Sequence, residues 1–335
     1  MNVLVIQPAF IGDAIISIAF AEALKSAEPS CHITYLVRPE SVGLLKYAPS
    51  INSVIPYDKY GEESGRSGIE SKAKALNVLG FDTVVCLHSS MRTLELVKRL
   101  NAPIKLGMVA NDVFTAQIIP QIGDDQARIA VRFAEAFHRD CVSSSLPKLH
   151  FPDDLLPTDF ATLSRPIIGI APGSVWKTKR WKASHFIGLA NELLEKGVSV
   201  IWIGQEKDVD AELLKSVNIL KNNSINYLSK LSLEESGAVI QHLDLLISND
   251  SAPVHIAVAT GTPVIDIFGP TIPEFGFAPR AESGLSIGIE NLWCRPCSSH
   301  GSNECPIHTH QCMEDIRVER ILESSKQYVT ISSSQ

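Results

Sequence analysis

The sequence predicts an α/β protein made of two doubly wound domains. Short apolar runs alternate with longer amphipathic segments through the first half of the chain. A stretch punctuated by Pro147, Pro152, Pro157 and Pro166 then breaks the pattern, and the alternation restarts behind it. Strand–helix alternation of this kind reads as a parallel sheet with helices on its faces. The length of 335 residues agrees, because single cores rarely grow past about 250–300 residues. The expected domains are residues 1–160 and 161–335, with the proline-rich stretch as linker.

In the first half, Val3–Ile6 is a buried strand by composition, and Gly12 ends the loop behind it. A helix is expected from Asp13 to Ala27, stopped by Pro29, followed by the strand Ile33–Val37. A short strand lies near Val54–Tyr57, and a polar loop from Lys59 to Gly68 leads to a helix ending near Gly80. Thr83–His88 is the next strand, followed by a helix through Leu100 and then Ile104–Met108. In the second half the strands are Ile167–Ala171, Val198–Ile203, Leu245–Ser248 and Pro263–Phe268. The helices are Ser184–Lys196, Asp208–Val217, one from Leu233, and Val254–Thr260 closed by Gly261. A last helix, Arg317–Tyr328, is read as able to fold back on the first domain. Two such sheets create a cleft at their carboxyl ends, the usual place for ligands.

Composition narrows the functions. Hydrophobic residues make up 45% of the chain and charged residues 20%, enough for a core in each half. A net charge of -7 argues against nucleic-acid binding through bulk positive charge. The start MNVLVIQPAF lacks the basic region and long apolar stretch of a secretory signal. No window approaches the ~18–20 apolar residues of a membrane span. A cytoplasmic location is the expectation, with contact at a membrane surface left open.

Four segments carry chemistry. Pro8–Asp13 follows the first strand, so Gly12 and Asp13 stand at the carboxyl edge of the first sheet. An Asp there is also a common helix cap, and the segment is not a GxGxxG dinucleotide fingerprint. Ala171–Trp181 follows the first strand of the second half. It offers Gly173, the hydroxyl of Ser174, and the cations Lys177, Lys179 and Arg180, a combination that suits a diphosphate. Trp176 and Trp181 beside the charges argue against a merely solvated loop. Ser248–His255 leads from a strand into a helix whose free N–H groups suit an anion. Phe268–Pro279 is a rigid Pro/Gly loop with aromatics, a common pocket lining.

Near the C-terminus the sequence reads Cys294-x2-Cys297-x7-Cys305-x6-Cys312, with His300, His308 and His310 interleaved. Structural zinc, reduced thiols and local disulfides are all open for this cluster. Cys31, Cys86 and Cys141 are scattered, and an odd total of seven argues against a disulfide framework.

The order and spacing of these segments resemble glycosyltransferase family 9, the ADP-heptose:lipopolysaccharide heptosyltransferases. The Lys177–Trp181, Asn249–Ser251 and Phe268–Pro270 stretches look most like the heptosyltransferase II branch. The resemblance implies the GT-B fold, two Rossmann-like domains facing a central cleft. It implies inverting transfer of heptose from ADP-heptose to the inner core of lipopolysaccharide, with no metal required for catalysis. In this reading Asp13 is the general base, and Lys179 stabilises the charge developing on the departing ADP. Gly12, Ser174, Val175, Glu206, Asp250, Ser251, Ala252 and His255 match the nucleotide-sugar side, with only the N–H of Val175 able to serve. A phosphorylated acceptor containing Kdo demands cations on the first domain. Arg38, Arg66, Lys98 and Arg99 are available there, and His88, Ser89 and Arg92 are the best-placed candidates. The implied enzyme works at the inner face of the inner membrane.

Other readings keep the fold. A different nucleotide sugar or acceptor would change only pocket side chains. A nucleotide-sugar-binding protein without catalysis would not need both Asp13 and Lys179. An NAD-dependent oxidoreductase lacks its glycine fingerprint here.

Overall fold

The computed structural model describes residues 1–109, 111–219 and 223–331. The chain forms two compact units, Met1–His150 and Phe151–Gln335.

The strands of the first unit are β1 (Asn2–Ile6), β2 (His32–Val37), β3 (Ser53–Pro56), β4 (Thr83–Cys86), β5 (Ile104–Gly107) and β6 (Ala116–Gln117). Its helices are α1 (Ile11–Ala27), α2 (Pro39–Leu45), α3 (Gly65–Asn77), α4 (Met91–Lys98) and α5 (Gln126–Glu135). The sheet order is β3-β2-β1-β4-β5-β6, and every neighbouring pair is parallel. Val3–Ile6 and Ile33–Val37 are buried along their whole length, as strands covered on both faces must be. Helix α1 is apolar nearly all round, from Ala14 to Leu24, because it lies between the sheet and α5. Phe20 and Phe137 meet there edge to face, with centroids 6.4 Å apart.

The second unit repeats the plan. Its strands are β7 (Ile167–Ala171), β8 (Ser199–Trp202), β9 (Ser224–Asn226), β10 (Leu245–Asn249), β11 (Val264–Phe268) and β12 (Gly284–Gly288). Its helices are α6 (Ala183–Glu195), α7 (Ala211–Val217), α8 (Leu233–Gln241), α9 (Ala252–Thr260), α10 (Gln311–Glu314) and α11 (Val318–Ser325). The order β12-β11-β10-β7-β8-β9 is again all parallel. Counted from its own first strand, this is the same 3-2-1-4-5-6 order as in the first unit, the Rossmann arrangement. One sheet face packs Ile168, Ile170, Val200, Trp202, Ile265 and Ile267 against Phe186 and Leu189 of α6.

The structure differs from the sequence reading in several places. The unit boundary falls at His150/Phe151, not at 160/161. Phe151 exchanges two hydrogen bonds with the Gln241 side chain, 2.8 and 2.9 Å, which ties it to the second unit. The proline-rich stretch behind it folds as two short 3-10 turns, Asp153–Leu155 and Thr158–Thr162. Helix α11 lies on α6 and β11, with Ile321 in the core of the second unit. Helix α1 starts at Ile11, so Gly12 is helical and Asp13 is its third residue. Helix α3 starts at Gly65, inside the stretch read as loop. Elements α2, α5, α10, β6, β9 and β12 add to the expected set. No described helix is long and apolar enough to cross a membrane.

Candidate active site

In a doubly wound sheet the chain crosses to opposite faces at one point, and the loops there splay apart to leave a crevice. In the first unit that point lies between β1 and β4; in the second it lies between β7 and β10. Three of the four chemistry-bearing segments, together with the acceptor candidates His88 and Ser89, follow these four strands. Gly12 and Asp13 come after β1, His88 and Ser89 after β4, Ser174–Arg180 after β7, and Asp250–Ala252 after β10.

Pro8 and an extended Phe10, at the N-cap of α1, bring the chain off β1, and Asp13 stands in the first helical turn. It is therefore not the cap residue. Asp13 lines a cavity of about 30 Å³ with Gln7, Ser17, Leu87, Met108 and Gln126. The buried Oε1 of Gln7, in the same lining, has no protein partner.

His88 is held by a 2.8 Å contact between Nδ1 and Thr93 Oγ1. Burial, aided by the charge of Lys59, pushes its pKa down to about 4. It is thus a neutral group at physiological pH and brings no cation to this edge. The cations come from elsewhere. Arg38, Lys59 and Arg92 surround the exposed ring of Tyr60, at 5.4, 5.0 and 5.6 Å from its centroid. Arg92 also donates to the carbonyl of Lys59. Ser89 is exposed beside them, and Ser90 caps α4 by accepting from Thr93 N. Sequence reasoning missed Lys59 and Tyr60, because they lie in a polar loop without a pattern.

In the second unit, Lys179 Nζ donates to Asp250 Oδ2 at 2.6 Å, and the two side chains are only 12% and 8% exposed. Thr271 Oγ1 donates to the same oxygen at 2.7 Å. Asn249 ties the loops behind them: its Nδ2 donates to Pro172 O, and its Oδ1 accepts from Trp181 N. Ser174 is buried and donates its N–H to Asp208 O, 3.1 Å away, so only its hydroxyl faces a ligand role. Glu206 opens the 3-10 turn that ends at Asp208, which places it beside the Ser174 loop. Val175 is exposed. Ser251 holds the N-cap position of α9 but donates its hydroxyl to Asn249 O, and Ala252 is the first helical residue. His255 is buried on α9. Burial first, then Lys179, pushes its pKa down to about 4, against the opposing pull of Asp250.

Asp266 is another group the sequence did not single out. It is fully buried on β11, and neither carboxylate oxygen has a hydrogen-bond partner in the protein. Its strand neighbours are Ser248 and Ser286. Burial, reinforced by the charge of Asp250, raises its pKa well above the ordinary carboxylate range.

One expectation needs correction. Trp181 does not present a ligand surface. It is 1% exposed, its indole N–H donates to Ile316 O at 2.8 Å, and it packs on Phe186. The cysteine cluster is open in the sequence to zinc, reduced thiols or local disulfides, and the structure shows no disulfide in it. Cys294, Cys297, Cys305 and Cys312 are free thiols, and the described residues contain no group of three or more His, Cys, Asp or Glu arranged to hold a metal. The cysteine segment braces the Lys177–Lys179 turn. Ser302 exchanges three hydrogen bonds with Thr178, and His310 Nε2 sits 2.8 Å from Thr178 O. Gly301 makes this approach possible: its φ is +100°, and an added Cβ would lie 2.8 Å from Trp176 Cβ.

Comparisons with known proteins bear on the family and the fold. The model of glycosyltransferase family 9 (heptosyltransferase) matches residues 70–308. Lipopolysaccharide heptosyltransferase 2 of Salmonella typhimurium is 26% identical over 82% of this chain and 84% of its own. Lipooligosaccharide heptosyltransferase 2 of Haemophilus influenzae is 25% identical over 96% and 98%. The solved structure of the family 9 glycosyl transferase from Veillonella parvula superposes with a TM-score of 0.81 at 22% identity, covering 98% of this chain and 96% of that one. That of Escherichia coli ADP-heptose heptosyltransferase II gives 0.77 at 21%, covering 98% of both. The fold is therefore GT-B, and the chain is a glycosyltransferase belonging to family 9, the heptosyltransferases.

Proposed function

We propose that this chain transfers a heptose from ADP-heptose to the inner core of lipopolysaccharide, at the cytoplasmic face of the inner membrane. The observation that carries the reading is the Lys179–Asp250 pair at the switch point of the second sheet, 2.6 Å apart and nearly closed to solvent. A lysine fixed there by a carboxylate neutralises a diphosphate without first having to be ordered. In this reading Ser174, Val175, Glu206, Ser251, Ala252 and His255, which follow β7, β8 and β10 in the chain, complete the donor side. The match to relatives named as lipopolysaccharide and lipooligosaccharide heptosyltransferases supplies the sugar and the acceptor class.

In this reading Asp13 removes the proton from the acceptor hydroxyl as its oxygen attacks the anomeric carbon. The bond from that carbon to the phosphate oxygen breaks, ADP leaves, and the configuration inverts. Arg92, with Arg38, Lys59 and Tyr60, serves the anionic acceptor, and His88 and Ser89 contribute neutral hydrogen-bonding groups.

A thermal-shift panel with ADP, UDP, GDP and NAD tests the donor side. At about 100 times its dissociation constant a ligand adds roughly 2.7 kcal/mol of stability. A shift with ADP and none with the others is the expected result. A shift confined to UDP or GDP changes the donor, and one confined to NAD overturns the reading.

A further inference from the structure

The Lys179–Asp250 pair is held from behind by residues outside the expected site. Thr271 follows β11 in the Phe268–Pro279 loop and is 3% exposed. Its hydroxyl donates to the same Asp250 oxygen that Lys179 holds, at 2.7 and 2.6 Å. Its carbonyl accepts from Arg295 Nη2 at 2.7 Å. Arg295 comes from the cysteine-bearing segment and is itself fixed, since Nη1 donates to Ile289 O. Gly288 makes room for the guanidinium. A Cβ there would lie 2.9 Å from Nη1 and 2.9 Å from Phe268 O. The other buried titratable groups that face Asp250 are Lys179, His255 and Asp266. Asp266 has no hydrogen bond with which to fix its neighbour.

We propose that Thr271, locked by Arg295, is a positioning residue that fixes Asp250 against Lys179 and so sets the place of the lysine amine. A carboxylate oxygen that serves one lysine alone leaves the pair free to pivot about that contact. A second donor arriving from another strand end removes that freedom. Hydrogen bonds to a charged group are also stronger than neutral ones. The chain Arg295–Thr271–Asp250–Lys179 therefore transmits the position of the C-terminal segment to the amine that meets the diphosphate. This inference rests on the donor-site reading above.

The test uses Thr271→Val, which keeps the shape and removes the hydroxyl, and Thr271→Ser, which keeps the hydroxyl. ADP affinity, transfer kinetics and thermal midpoint are measured for the full chain. The expected result is about a tenfold loss of ADP affinity in T271V, recovery to within about threefold in T271S, and a larger effect on the donor KM than on the acceptor KM. A purely structural role would lower the midpoint of T271V with ADP affinity unchanged in the folded protein, and this overturns the proposal. Equal losses in both variants also overturn it, because the hydroxyl would then not matter. If T271V does not fold, Arg295→Lys replaces it. This keeps the charge but loses the two-point grip, and a wild-type ADP affinity there overturns the proposal too. Failure of the wild-type chain to bind ADP at all sinks the donor-site reading instead, and is distinguishable because no variant is needed to see it.

Discussion

Lys179 Nζ lies 2.6 Å from Asp250 Oδ2, and the two residues sit on different strand ends of one sheet, 71 positions apart in sequence. Neither charge is well placed to exist there alone. Breaking a buried pair by removing one partner leaves the other uncompensated, which costs about 3–5 kcal/mol.

Lys179→Met is therefore expected to do two things. It lowers unfolding stability by about 3 kcal/mol, toward the small end because the pair is not wholly closed to water. It also weakens ADP binding by about ten- to a hundredfold through loss of a charged hydrogen-bond donor. Urea unfolding and calorimetric titration with ADP check both. Undiminished ADP affinity would remove Lys179 from the donor site.

Asp266→Asn is expected to stabilise the protein, and increasingly so as pH rises. The folded-state pKa of Asp266 lies well above the ordinary value of 3.8. In the window between about 4 and that raised value, the folded state holds a proton that the unfolded state has released. Wild-type stability from this group is complete below the unfolded pKa and is lost as pH rises, at about 1.4 kcal/mol per pH unit. The variant has no proton to hold and no such slope. Denaturation at pH 5, 6.5 and 8 should show the gap between variant and wild type widening. A gap independent of pH would mean that Asp266 does not carry a proton in the folded protein.

Tyr60→Ala is expected to raise the acceptor KM by about three- to thirtyfold while ADP affinity stays at the wild-type value. The ring organises Arg38, Lys59 and Arg92, and contacts of this type are worth about 0.5–2 kcal/mol. Steady-state kinetics with the acceptor varied at saturating donor check it. An unchanged acceptor KM would place the acceptor elsewhere.

Gly301→Ala is expected to lower both stability and ADP affinity. Its φ of +100° disfavours a side chain, and the new Cβ meets Trp176 beside the Lys177–Lys179 turn. The backbone penalty alone is of the order of 1–3 kcal/mol. Thermal unfolding and ADP titration check it, and full ADP affinity would show that the cysteine segment does not set the turn.

The parts of the fold that were readable in the sequence are those with strong apolar signals. Val3–Ile6 and Ile167–Ala171 are continuous buried runs, and they announced the first strand of each unit. The edge strands Ala116–Gln117, Ser224–Asn226 and Gly284–Gly288 carry polar residues and glycines, so nothing marked them. Asp13, Lys179 and Asp250 stand out in the sequence because they follow strands at fixed places in a motif. Thr271, Asp266 and Arg295 escaped because their importance lies in what they touch across the sheet and the segments beside it. Thr271 reaches Asp250 over 21 positions, and Arg295 reaches Thr271 over 24. Trp181 was misread for the opposite reason, since a tryptophan beside three cations looks exposed until Ile316 and Phe186 are placed around it.

The most direct measurement is a transfer assay with ADP-heptose and two lipopolysaccharide inner-core acceptors, Kdo-lipid A and heptosylated Kdo-lipid A, comparing wild type with Asp13→Asn. The wild-type chain is expected to release ADP and add one heptose to one of these acceptors, as read by mass spectrometry. The variant is expected to bind ADP with near wild-type affinity and transfer nothing. Absence of transfer to either acceptor by the wild-type chain would contradict the assigned reaction, and transfer by the variant at the wild-type rate would contradict the role of Asp13.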